Sequence, residues 1–112
     1  MKVIHNRLIP PGRNYSAINL FGVLFVKNGT AVTPLLLNHE AIHTAQMREL
    51  WYLPFYLLYI MEWLWRLAEC RGNSYKAYRS ISFEREAYSC AGIPEYLSER
   101  HSFAQYRIPR RK

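Results

Sequence analysis

From Leu50 to Leu67 the chain reads LWYLPFYLLYIMEWLWRL, and only Glu62 and Arg66 in that stretch carry charge. In a chain of 112 residues, so long an apolar run dictates much of the architecture. Its uncharged part, Leu50 to Met61, is twelve residues long, whereas a bilayer span needs about twenty. Pro54 breaks or kinks a helix at that point, so a helix is expected from Phe55 to Glu69. On its wheel Tyr59, Glu62, Arg66 and Glu69 form one narrow stripe, while Leu57, Ile60, Met61, Leu64 and Leu67 fill the remainder. A helix apolar over most of its circumference belongs at the centre of a domain, so burial is expected. The alternative is a membrane-surface or oligomer contact through the 50–67 aromatic helix, anchored by Trp51, Trp63 and Trp65.

The rest of the chain supplies shorter elements. Residues 1–14, punctuated by Pro10-Pro11-Gly12, read as an irregular arm. AINLFGVLFV, 17 to 26, suits a strand; Asn28-Gly29 is a tight-turn signal, and Thr30 to Val32 would complete a hairpin. Thr33-Pro34 announces a helix that should run to about Leu50, with Thr as its cap and Pro in its first turn. Gly72-Asn73-Ser74 reads as a loop, with further helices from about Ser80 to Ala91 and from Pro94 to Tyr106. Residues 107–112 read as a loose basic tail. The sum is a single α+β domain over 1–112, mainly α, with an N-terminal β-hairpin packed on the 33–50 helix and three further helices.

Fifteen Lys and Arg stand against eight acids, giving +7, and every acid is a glutamate. A site that needs a carboxylate must therefore use Glu. Apart from Arg107, Arg110, Arg111 and Lys112 the basic residues are scattered, and no nucleic-acid motif appears, so no specific nucleic-acid partner is expected. A basic module binding nucleic acid or anionic lipid is the weaker reading. Cys70 and Cys90 lack CxxC spacing and read as reduced thiols. The start of the chain has no apolar h-region, so a cytoplasmic protein is expected, with membrane association as a further possibility.

Within the 33–50 helix lies His39-Glu40-Ala41-Ile42-His43. Residues four apart share a helical face, so His39 and His43 offer two imidazoles to one tetrahedral Zn2+. Glu40, about 100° round the helix, reaches a water on that metal without ligating it and is the candidate general base. A third ligand is needed. The pattern HExxHxxGxxH is excluded, because its last two fixed positions hold Gln46 and Glu49. In SISFEREAY, 80 to 88, Glu84 shares a helical face with Ile81, Ala87, Tyr88 and Ala91, and a carboxylate on such a face demands a partner. Glu86 falls on another face, beside the metal ligands' neighbours or at the surface.

HEAIH followed some forty residues later by E-x-x-A resembles the gluzincins, above all the minimal single-domain forms and the prenyl-protein and β-lactam-sensor metallopeptidases. The resemblance covers 36 to 90 and implies a zincin-like fold. It implies His39, His43 and Glu84 as zinc ligands, Glu40 as base, Ala87 in the small position, and a peptide or protein substrate. It also implies that the strand before the active-site helix receives the substrate along its edge, a role 17–26 is placed to serve. Tyr88 stands where the family has an Asp that orients a ligand histidine, and a tyrosine hydroxyl would have to accept that N–H. For the oxyanion the family uses a Tyr or His, for which Tyr78, Tyr88 and His101 are candidates. A zinc domain without catalysis, structural or regulatory, is the competing expectation.

Overall fold

The computed structural model describes residues 2–10 and 15–107. It is α+β and mainly helical: a small sheet precedes a run of helices. Strand β1 (Lys2–Asn6) lies parallel to β3 (Val23–Lys27), and β2 (Ala17–Leu20) pairs antiparallel with β3, giving the order β1-β3-β2. Helices α1 (Pro34–Glu49), α2 (Leu53–Glu69), α3 (Ser74–Ser80), α4 (Ser82–Cys90) and the single turn α5 (Tyr96–Glu99) follow, and a 3₁₀ turn spans Ala104–Tyr106.

The expected hairpin is displaced. The 17–26 run is two strands, turned at Phe21-Gly22, whose φ values of 53° and 89° are the type I′ pattern that matches strand twist. Asn28-Gly29 does turn the chain, with Thr30 N–H donating to Lys27 O, but it leads into α1 and no strand forms over Thr30–Val32. The expected irregular arm contains β1, which extends the sheet on the far side of β3. Pro11 to Asn14 and the tail beyond Arg107 lie outside the described residues.

Thr33 Oγ1 accepts from Leu36 N–H at 3.1 Å and Pro34 occupies the first turn, so α1 begins where its signals lie. Helix α3, which no expectation covered, starts where the Gly72-Asn73-Ser74 loop ends: Asn73 Oδ1 caps it by accepting from Lys76 N–H at 3.1 Å. The helix expected over 94–106 is instead the single turn α5 and the 3₁₀ turn, separated by residues 100–103. Met47, Phe55, Ile81 and Phe83 form the main core between α1, α2 and α4, and Ile42, Ala87 and Cys90 knit α1 directly to α4. Cys70 and Cys90 are free thiols.

Burial of α2 is overturned. Its inward side carries Phe55, Tyr59, Glu62 and Arg66, whereas Leu53, Leu57, Ile60, Met61, Leu64 and Trp65 are exposed. The polar stripe faces inward because Glu62 is needed there: its carboxylate accepts from Ser82 N–H at 2.5 Å and from Ser82 Oγ–H at 2.6 Å, capping α4. Among the described residues no helix is long and apolar enough to cross a membrane.

Candidate metal centre

Helix α1 presents His39 and His43 on one face, and α4, held against it through Ala87, presents Glu84. All three side chains are buried. His39 Nε2 and His43 Nε2 lie 3.2 Å apart, and Glu84 Oε1 lies 3.3 Å from the first and 3.0 Å from the second. A tetrahedral zinc with bonds near 2 Å spaces its ligand atoms by about 3.3 Å, so the triangle has the edge length that such an ion requires.

The surroundings fix which atoms face inward. Gln46 Oε1 accepts from His43 Nδ1–H at 2.8 Å, which makes Nε2 the nitrogen that faces Glu84 and His39 and that offers a lone pair once it gives up its proton. Gln46 is itself held, its amide donating to Phe83 O at 3.0 Å and to Glu86 Oε1 at 2.9 Å. Glu86, fully buried, accepts in turn from Tyr96 and from Arg100, and Arg100 also pairs with Glu49 at 2.8 Å. On the other side, Tyr59 donates to Glu84 Oε2 at 2.6 Å and turns Oε1 toward the histidines.

Burial alone would lower the His43 pKa, but the Glu84 carboxylate outweighs it and holds the imidazole up at about 9. Burial would raise Glu84, and the two histidines instead pull it far below the carboxylate range. Without metal the centre is therefore an imidazolium–carboxylate pair.

Glu40 is buried beside this triangle, and its Oε2 has no hydrogen-bond partner. Burial raises its pKa, against the pull of His43 and His39. It lines a cleft formed by two adjoining cavities of ≈ 370 and ≈ 260 Å³, which share Tyr15, Ala17, Glu40 and Tyr78. His43 and Glu84 line the first, His39 and Tyr88 the second. Strand β2 borders both, and Asn19 ties it to α1 by donating to Glu40 O at 2.9 Å and Thr44 Oγ1 at 2.8 Å. As Lys27 N–H bonds Ser16 O, the antiparallel alternation turns the backbone groups of Ala17 and Asn19 to the outer edge. Part of that edge is occupied: Tyr56 Oη donates to Asn19 O and accepts from Phe21 N–H.

The remaining candidates separate. Tyr78 lines both cavities, and its hydroxyl meets that of Tyr88 at 3.1 Å. Burial, and then the Glu84 charge, raise the Tyr78 pKa, so the phenol keeps its proton. Tyr88 does not accept an imidazole N–H; its ring packs edge-on against His39 with centroids 4.5 Å apart. His101 is exposed and lines neither cavity. Sequence reasoning missed Gln46 and Tyr59. Gln46 carried a signal, lying three residues beyond His43, within reach of its Nδ1 on the same helix. Tyr59 had none beyond its place in the polar stripe.

No protein family, curated protein or solved structure matches this chain.

Proposed function

We propose that the protein is a zinc-dependent peptidase of gluzincin type, cleaving peptide bonds in the cleft between β2 and α1. The observation that carries this reading is the triangle of Nε2, Nε2 and Oε1 atoms with edges of 3.0 to 3.3 Å beside a buried carboxylate oxygen that has no partner. His39, His43 and Glu84 would hold the metal: the donor set suits zinc, and the Gln46 acceptor keeps His43 Nε2 available. Bound there, zinc supplies Lewis acidity toward water and toward the scissile carbonyl.

The protein's own groups do the rest. A substrate segment adds to the edge of β2 through the backbone of Ala17, and Tyr56 limits that added strand by covering Asn19 O. Glu40 Oε2 takes the proton from the attacking water and passes it to the departing amide nitrogen. Tyr78, kept protonated, donates toward the oxygen on which negative charge develops.

Glu40→Gln tests the reading, because a base that does not ligate is dispensable for metal and essential for turnover. The variant should keep its zinc and lose hydrolysis of an unstructured substrate such as casein. Equal turnover in the variant removes Glu40 from the chemistry, and no turnover by the unmodified protein over a broad peptide library leaves zinc a structural role.

A further inference from the structure

The outer face of α2 is apolar across about 140° of the helix, with Leu53, Leu57, Ile60, Met61, Leu64 and Trp65 all exposed and Glu69 only at its border. Water-facing helices normally show the reverse, with polar residues outward. Here Glu62 and Arg66 are turned into the protein, where Glu62 caps α4 and Arg66 pairs with Glu69 at 2.7 Å. Trp51, 83% exposed, prolongs the face at its N-terminal end. The backbone enters the face through Trp51 and Tyr52, whose φ of 59° and 61° lie in the left-handed region that non-glycine residues rarely adopt. Weighted by their exposure, these side chains present on the order of 900 Å² of apolar surface, against about 300–600 Å² for the largest patch of an ordinary monomer.

Such an area would serve a second protein or a bilayer, and the chemistry of the face decides between them. A protein interface of this size carries about ten hydrogen bonds. This face offers two indole N–H groups, those of Trp51 and Trp65, which make no hydrogen bond to the protein among the described residues. Acyl chains require no such bonds, and indoles settle at the headgroup boundary. Charge points the same way. Arg48 precedes Trp51 by three residues and Arg71 lies two residues past the end of α2; both are exposed, and neither pairs with an acid among the described residues. The whole chain carries +7.

We propose that this face docks α2 in the plane of an anionic lipid bilayer, its apolar side sunk below the headgroups and Arg48 and Arg71 among the phosphates. The proposal is independent of the peptidase reading, because the face lies opposite the side of α2 that carries Tyr59 to Glu84.

Co-sedimentation with vesicles of phosphatidylcholine alone, and of phosphatidylcholine mixed with phosphatidylserine, tests it. The protein should partition onto the mixed vesicles, more weakly onto the neutral ones, and less as salt rises. A Leu57→Glu plus Leu64→Glu variant, altered only at exposed positions, should lose at least about tenfold in partition. In the unmodified protein, lipids brominated on their acyl chains should quench tryptophan fluorescence, a readout that needs no variant. The proposal is overturned by absence of vesicle binding, by unchanged binding of the double variant, or by absence of quenching. A dimer that dissociates in the double variant and ignores vesicles would overturn it in favour of a second copy of the chain.

Discussion

Replacing Gln46 by Met, a side chain of similar length without polar groups, isolates the support beneath His43. It removes the acceptor 2.8 Å from Nδ1 and the amide that holds Phe83 O at 3.0 Å and Glu86 Oε1 at 2.9 Å. Each buried polar group stripped of its partner costs about 1–3 kcal/mol. Glu86 keeps Arg100 and Tyr96, so the loss concentrates on His43 and Phe83 and should total roughly 2–4 kcal/mol in urea unfolding of the metal-free protein. Zinc affinity, read by competition with a chromophoric chelator, should fall about 10–100-fold, because nothing then fixes which nitrogen of His43 faces Glu84. Gln46→Glu separates the two effects. It keeps an acceptor for His43 but sets a carboxylate against Glu86, so it should hold zinc within a few-fold while losing stability. Undiminished zinc affinity in Gln46→Met would refute the orienting role.

Glu84→Gln should weaken zinc on the order of tenfold or more by replacing an anionic ligand with a neutral one, whereas Glu86→Gln should act mainly on stability, through Arg100; chelator competition and melts on both variants check the ranking. If zinc binds as proposed, it has to displace the proton that His43 carries below about pH 9, so affinity should climb about tenfold per pH unit toward that value, with about one proton released on binding near neutrality. Calorimetry in buffers of different ionisation enthalpy measures that proton, and a flat affinity between about pH 6 and 8 would contradict it. In the metal-free protein the same pair stabilises the fold below the ordinary imidazole pKa and ceases to do so as pH rises through about 9. Glu62→Ala uncaps α4 and should cost about 1 kcal/mol, a fall in Tm of about 4–8 °C by differential scanning calorimetry.

What the sequence reveals here is what local rules control. Thr33 and Pro34 mark the start of α1 because cap and first turn are decided within four residues. Glu84 is legible because its companions Ile81 and Ala87 repeat at helical spacing beside it. Strand β1 is not: it pairs in parallel with β3, some twenty residues away, and prolines follow it closely. The turn at Phe21-Gly22 is masked by a bulky residue at positive φ, while the stronger Asn28-Gly29 signal draws attention downstream. On α2 the wheel separates polar from apolar correctly, yet periodicity cannot say which side faces water. That was decided by a distant group, the uncapped start of α4. The chain from His43 through Gln46 and Glu86 to Arg100 spans three segments, and only the tertiary fold brings them together.

The metal itself is the most direct measurement. Elemental analysis of the purified protein should find about one equivalent of zinc per chain, and a His39→Ala plus His43→Ala variant should carry none. Stoichiometric zinc in that double variant, or a zinc-free protein that fails to take up the ion when it is supplied, would contradict the account.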